Sequence, residues 1–284
     1  MLVNTKEMLK KAKLEHYAVP HFNINNLEWT RYILEVCEEE KSPVIIGVSE
    51  GALRYMGGYN TVAGLVKNLI TDLNITIPVA LHLDHGSSVE SCINCIDAGF
   101  TSVMIDASKE DLDTNISMTK KVVDYAHKYN VTVEAEVGHV GGVEDDISSD
   151  IAYAKTEDAV RLVKETNIDL LAPAVGSAHG VYKGTPKIDY QRIKTIQEQT
   201  NLPLVLHGGS GIPDDIIIES IKSGINKLNI NTDLQIVWSE AVRNFISKDD
   251  EVYDPRKIIK SGEQALKEKA KEKIKLLGSK NKAN

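Results

Sequence analysis

The chain has 284 residues, 42% apolar and 26% charged, with a formal net charge of −8 at pH 7. That composition supplies ample core for one large α/β unit or two smaller ones, and its acidic balance argues against a nucleic-acid partner, which calls for a basic face. Residues 1–13 lack the apolar run of a secretory leader and no later run approaches the length of a membrane span, so a cytoplasmic location is expected.

Short β-branched runs alternate eight times with longer amphipathic segments, the pattern of βα units around a parallel sheet. In chain order the predicted strands are 18–23, 44–49, 79–85, 102–107, 132–137, 169–174, 204–208 and 225–230. The predicted helices are 27–41, 59–73, 89–97, 113–129, 157–166, 190–200, 214–223 and 233–245. Pro213 opens the seventh helix after a glycine loop and Gly224 closes it. Eight such units predict a closed (β/α)8 TIM barrel, a single domain over 1–284 with a helical extension from about residue 254. An open doubly wound sheet would carry a glycine fingerprint after its first strand, but that strand here runs into H-F-N-I-N-N. The lysine-rich tail, 267–282, alternates with glutamates and reads as a solvated helix with a frayed end. Cys37, Cys92 and Cys95 lie in amphipathic segments and read as buried thiols, without a disulfide framework.

Polar residues collect where the strands end: Asn23, Ser49, Asp84, His85, Asp106, Glu136, His207, Asn229 and Asn231. In a barrel these ends surround one mouth, where such enzymes keep their chemistry. His85, His179 and His207 stand in H-L-D-H-G, G-S-A-H-G and L-H-G-G-S-G, each expected at the end of a different strand. Three neutral imidazoles with an open fourth position describe a catalytic zinc site. Asp84 then offers acid–base chemistry from a different direction than its neighbour His85, and Glu136 an alternative metal ligand or a partner for a substrate cation site. His82, two residues before Asp84, faces the same side; His16, His21, His127 and His139 read as hydrogen-bonded structural residues.

The turns 208–211 and 229–232 each precede a helix, and loops after strands seven and eight with exposed N–H groups are the recurrent phosphate cradle of these barrels. Lys183 adds charge from one of two long glycine-bearing loops, 138–155 and 175–187, which read as lids or binding loops. A Schiff-base mechanism would need a desolvated strand lysine, and the sixth strand, I-D-L-L-A-P-A, has none.

Ordered motifs from F-N-I-N-N-L-E and S-P-V-I-I-G-V-S-E-G through H-L-D-H-G-S-S, V-E-A-E-V-G, G-G-V-E-D-D, G-S-A-H-G-V-Y-K-G and L-H-G-G-S-G-I-P to Y-D-P-R-K resemble the class II, metal-dependent ketose-bisphosphate aldolases, especially the shorter fructose-bisphosphate branch. The resemblance implies zinc on His85, His179 and His207, with Glu136 and Asp106 near an alternative metal position, Asp106 otherwise standing behind a ligand. It implies Asp84 as proton donor and acceptor at the C4 oxygen, and Glu144 in the mobile lid as the group that assists at the triose C3. The triose phosphate would lie on Gly180, Lys183, Gly208, Ser210, Asn231 and Thr232, with a sodium or potassium ion nearby in many relatives. Asn23, Ser49 and Asn229 would line the substrate, and Arg256 would hold the second phosphate across a subunit boundary of a homodimer or homotetramer. His139 departs from the family pattern, where a small residue is more familiar. Tagatose-bisphosphate aldolase, with the other C4 stereochemistry, is the competing reading; N-I-N-T-D at 229–233 favours fructose bisphosphate within the same resemblance.

Overall fold

The computed structural model describes residues 2–144, 147–149, 152–180, 182, 184–249 and 251–283, with the side chains of 142–149 outside the description. The strands are β1 (Val19–Asn23), β2 (Val44–Ser49), β3 (Val79–Gly86), β4 (Ser102–Ile105), β5 (Thr132–Val137), β6 (Gly141–Glu144), β7 (Ile147–Ser149), β8 (Leu170–Pro173), β9 (Ala178–His179), β10 (Leu204–Leu206) and β11 (Ile225–Ile230). Eight of them close a barrel in the order β1-β2-β3-β4-β5-β8-β10-β11, every neighbour parallel. The expected strands therefore fall where the sequence put them, within a residue or two at most ends.

The helices are α1 (Lys6–Leu14), α2 (Leu27–Glu39), α3 (Glu50–Tyr55), α4 (Tyr59–Asp72), α5 (Val89–Ala98), α6 (Leu112–Ala126), α7 (Thr156–Thr166), α8 (Tyr190–Thr200), α9 (Asp214–Ser223), α10 (Thr232–Ile246), α11 (Pro255–Lys260) and α12 (Glu263–Leu276). Caps fix several starts: the side chains of Asn26, Ser88, Asp111 and Asp189 each accept a hydrogen bond from a backbone N–H in the first turn. No helix among the described residues is long and apolar enough to cross a membrane.

Because side chains alternate along a strand, every second residue points into the barrel, and these residues stack in layers. The lowest layer is apolar: Val19, Ile45, Ala80, Leu170 and Val205 pack against Met8, Leu9 and Ala12 of α1. This plug went unseen in the sequence because K-E-M-L-K-K-A-K-L is short and mostly charged. The next layer is polar, with His21, His82, Glu134 and Lys227 all at 0% exposure. The third layer forms the mouth.

One expectation is corrected and another is refined. The C-terminal segment is no solvated tail, since Leu266, Ala270, Ile274 and Leu277 are buried in the main core, while Lys267 pairs with Glu35 and Glu263. Its end is tied down as well: Asn281 N–H donates to Glu40 O at 3.0 Å and Ala283 N–H to Lys41 O at 3.0 Å. The helix reads as polar all round because its buried stripe is narrow and interrupted by lysines. The two long loops, in turn, are partly ordered as a small sheet, with antiparallel β7 and parallel β9 flanking β6.

Candidate active site

His85 and His207 reach the mouth from β3 and from the residue after β10, as expected. His179 does not end a barrel strand. It lies six residues beyond β8, where β9 pairs Gly142 with His179 and so folds the loop back over the mouth. The three imidazoles nevertheless converge, with ring centroids 4.5 Å (His85–His207), 5.1 Å (His85–His179) and 5.8 Å (His179–His207) apart. Asp84 and His85 also meet at one centre, Oδ1 to Nε2 4.0 Å. Adjacent strand residues would point apart, but His85 has a φ of 52°, and this left-handed turn swings its ring inward. Strain of that kind on a non-glycine residue concentrates at functional sites.

The outer nitrogens of two histidines face carboxylates. His85 Nδ1 is 2.8 Å from Asp106 Oδ2, and His207 Nε2 is 2.8 Å from Glu134 Oε1. Burial acts to raise the pKa of both acids, yet His85 and Ser108 hold Asp106, and Lys227 and His207 hold Glu134, well below the usual carboxylate range. Each carboxylate is thus an acceptor and each outer ring nitrogen its donor. The inner nitrogens, His207 Nδ1 and His85 Nε2, stand 2.7 Å apart, and neutral rings protonated on their outer nitrogens would turn lone pairs toward this one centre. Burial and the neighbouring His85 lower the His207 pKa, which keeps that ring neutral. Converging lone pairs with carboxylates behind them are the donor set of a divalent metal. Ligand atoms of His85, His179 and His207 all lie within 4.8 Å of one another.

Ligand atoms of His85, Asp106 and Glu136 form a second such group. Glu136 Oε1 accepts from Val140 N–H at 3.0 Å, and burial, reinforced by the charge of Asp106, pushes its pKa up to about 8. His139 closes this side: its Nδ1 is 2.9 Å from Ser108 Oγ, and its backbone pairs with Ala152.

Asp84 is 1% exposed and clamped by two amides, Asn23 Nδ2 on Oδ2 at 2.8 Å and Asn229 Nδ2 on Oδ1 at 3.1 Å. Burial alone would raise its pKa; His21, His85 and Lys227 outweigh that and hold it well below the usual range. Beneath it lies His21, Nε2 3.5 Å from Asp84 Oδ2, whose two ring nitrogens have no hydrogen-bond partner among the described residues. The expectation of a hydrogen-bonded structural histidine is therefore corrected for His21. Gly47 makes room for it, because a Cβ there would stand 1.7 Å from the His21 ring. His82, facing the same interior, is 2.8 Å from Ser102 Oγ and 3.6 Å from Glu134 Oε2.

Beside the imidazoles a cavity of about 190 Å³ is lined by Asn23, Asn25, Ser49, Asp84, His179, Gly180, Gly208, Ser210, Asn229, Asn231, Thr232 and Gln235. Ten of these twelve were expected; Asn25 and Gln235 were missed, since neither ends a strand. Gly208 has a φ of +67°, and a Cβ there would lie 2.2 Å from Ala178 O, so only glycine lets the turn approach the loop that carries His179. Tyr182, also missed, ties the same two loops, its hydroxyl accepting from Ala178 N–H at 2.8 Å and donating to Gly208 O at 2.9 Å. Ser210 Oγ accepts from the N–H groups of Asn231 and Asp233, shaping the start of α10. Arg256 lies away from this cavity, with a side chain 90% exposed and paired with Asp254. Lys183 and the side chain of Glu144 lie outside the described residues.

Comparison with known proteins gives a consistent result. The sequence matches the model of the family described as fructose-bisphosphate aldolase class-II over residues 3–282. It is 55% identical over 283 residues to a fructose-bisphosphate aldolase of Geobacillus stearothermophilus, covering 99% of each chain, and equally so to one of Staphylococcus aureus strain Mu50. Among solved structures, the YdjI aldolase of Escherichia coli K12 aligns with a TM-score of 0.87 and 34% identity over 100% of both chains. A fructose-bisphosphate aldolase of Campylobacter jejuni shares the fold, with a TM-score of 0.84 and 23% identity over 100% of this chain and 97% of that one.

Proposed function

The chain belongs to the class II fructose-bisphosphate aldolase family, and from that premise we infer how its residues divide the metal-dependent, reversible cleavage of fructose 1,6-bisphosphate into dihydroxyacetone phosphate and glyceraldehyde 3-phosphate. The observation that carries the reading is the convergence of His85, His179 and His207 beside an ionised Asp84. These histidines would hold the metal, with Glu136 and Asp106 serving the alternative position. Zinc suits three imidazoles with an open position, and when bound it supplies a Lewis acid for the carbonyl and hydroxyl oxygens of the triose half.

In the cleavage direction Asp84 takes the proton of the C4 hydroxyl as the C3–C4 bond breaks, and C4 leaves as the aldehyde. Asn23 and Asn229 hold both Asp84 oxygens in place, so the carboxylate is oriented before substrate arrives. The electron pair left on C3 takes a proton from Glu144, at the end of β6. Condensation reverses both transfers. Gly180, Lys183, Gly208, Ser210, Asn231 and Thr232 receive the triose phosphate at the N-terminus of α10, where N–H groups favour an anion; Asn23, Ser49 and Asn229 line the sugar. A sodium or potassium ion beside that phosphate would offset its charge in an acidic protein. Arg256, exposed on an extension, reaches the second phosphate from a neighbouring subunit, which calls for a homodimer or homotetramer. A cytoplasmic glycolytic role accords with this substrate.

The test is a side-by-side cleavage assay on fructose and tagatose 1,6-bisphosphates, with and without chelator. Chelator should abolish cleavage and zinc restore it, with fructose bisphosphate the faster substrate. Faster turnover of the tagatose epimer would assign the site to that substrate, and trapping of substrate on a lysine by borohydride would overturn the metal mechanism.

A further inference from the structure

We propose that Lys273, on the C-terminal helix α12, sets the charge of the phosphate cradle as a positioning residue, neutralising Asp233 so that this carboxylate does not repel the anion the cradle receives. The inference rests on the reading of Ser210, Asn231 and Thr232 as that cradle.

Asp233 is built into the turn. Its Oδ1 accepts from Gly211 N–H at 3.0 Å, and its own N–H donates to Ser210 Oγ at 3.1 Å. One side chain therefore joins the glycine turn 208–211 to the first turn of α10. The arrangement fixes both halves of the cradle, but it also places a carboxylate at the helix end whose partial positive charge is meant for a ligand. An ionised Asp233 would satisfy that end before phosphate arrived and would repel the phosphate when it did.

The remaining oxygen, Asp233 Oδ2, lies 2.7 Å from Lys273 Nζ, with the two side chains only 16% and 5% exposed. A pair this shielded from solvent is poorly screened, so the lysine offsets the carboxylate at short range. Its position is fixed by α12, whose Ala270 and Ile274 are wholly buried and which packs along both α10 and α2. Lysines Lys267, Lys269, Lys271 and Lys280 of the same segment find their carboxylates on the surface or at the margin of α2. Lys273 reaches instead to the residue following Thr232.

The experiment measures inhibition by inorganic phosphate, KM and kcat for fructose 1,6-bisphosphate, zinc content and melting temperature in the zinc-loaded enzyme and its variants. Lys273→Met should raise the phosphate inhibition constant and KM by about tenfold, the order of one partly buried charge at a helix end, with kcat and zinc content little changed. Lys273→Arg should restore both constants. Asp233→Asn keeps an acceptor for Gly211 and leaves Lys273 unopposed, so phosphate should bind more tightly than to the wild type. The double variant Lys273→Met/Asp233→Asn should return the phosphate constant toward the wild-type value while its melting temperature stays low, a split that loss of packing would not produce.

Ser210→Ala separates the two readings. If it leaves phosphate inhibition at the wild-type level, the cradle assignment itself fails. If it weakens phosphate while Lys273→Met does not, the cradle stands and the role of Lys273 is overturned. Should Lys273→Met not fold, Asp233→Asn decides alone: unchanged or weaker phosphate binding overturns the proposal.

Discussion

Lys227 Nζ lies 2.8 Å from Glu134 Oε2, with both side chains wholly buried inside the barrel. The other oxygen of Glu134 faces His207 Nε2, so a buried ammonium keeps ionised the carboxylate that orients one imidazole of the site. Glu134→Gln should lower zinc affinity by about 10- to 100-fold, the usual effect of removing a carboxylate behind a metal-bound histidine. It should also destabilise the fold by about 3 kcal/mol, because Lys227 would be left unpaired. Competition with a chelator and thermal unfolding read the two effects; unaltered zinc affinity would sever Lys227 and Glu134 from the site.

Asp84→Ala should cripple cleavage and leave zinc bound, since the role proposed for the residue is to handle a proton. A loss of about 10²- to 10⁴-fold in kcat is expected for a general acid–base group. Metal analysis of the purified variant checks the second half, and near-normal kcat would reassign Asp84 to structure.

Glu38 predicts a pH dependence of stability. Burial tends to raise its pKa, but hydrogen bonds from Lys41, Thr76 and Ile77 outweigh this and bring it down to about 2. A depressed folded-state value means the unfolded chain binds the proton first. The stabilisation is therefore complete above the ordinary glutamate range and is lost as pH falls toward 2. Glu38→Gln should cost about 1 kcal/mol near neutrality, allowing for solvent screening, and the two denaturation curves should converge through that acid window. A difference that persists at the bottom of the window would trace the effect to packing.

Arg256→Ala should weaken binding of the bisphosphate far more than of the triose phosphate alone, as a bidentate guanidinium contact to one phosphate requires. Mixing Arg256→Ala with Asp84→Ala subunits should regenerate activity in mixed oligomers, because one site then holds both native groups. Verified mixed oligomers without turnover would confine Arg256 to its own chain.

The barrel was legible because its strands are β-branched runs of regular spacing, and the mouth because polar residues such as Asn23, Asp84 and Asn229 stand at their ends. What stayed hidden depends on the third dimension. The φ of His85 that turns it beside Asp84 has no signature in H-L-D-H-G. His179 arrives through the pairing of β6 with β9, a short ladder built from glycine and alanine that no hydrophobic pattern announces. Lys227 was readable in principle: in I-N-K-L-N-I it shares parity with Asn229 and must face the interior. Its acidic partner has no local signature, because Glu134 stands on a different strand 93 residues away.

Helix α12 also bears on biosynthesis. It is made after all eight barrel strands, yet it covers α10 and α2 and brings Lys273 against Asp233. A nascent chain that stops short of it already holds all eight barrel strands and the three histidines, but the seam between α2 and α10 lacks its cover. On the site roles proposed above, metal capture would precede completion of the anion pocket. Ribosome-stalled chains ending before α12 would be expected to bind zinc while exposing an apolar furrow to chaperones, and α12 would close that furrow once it emerges.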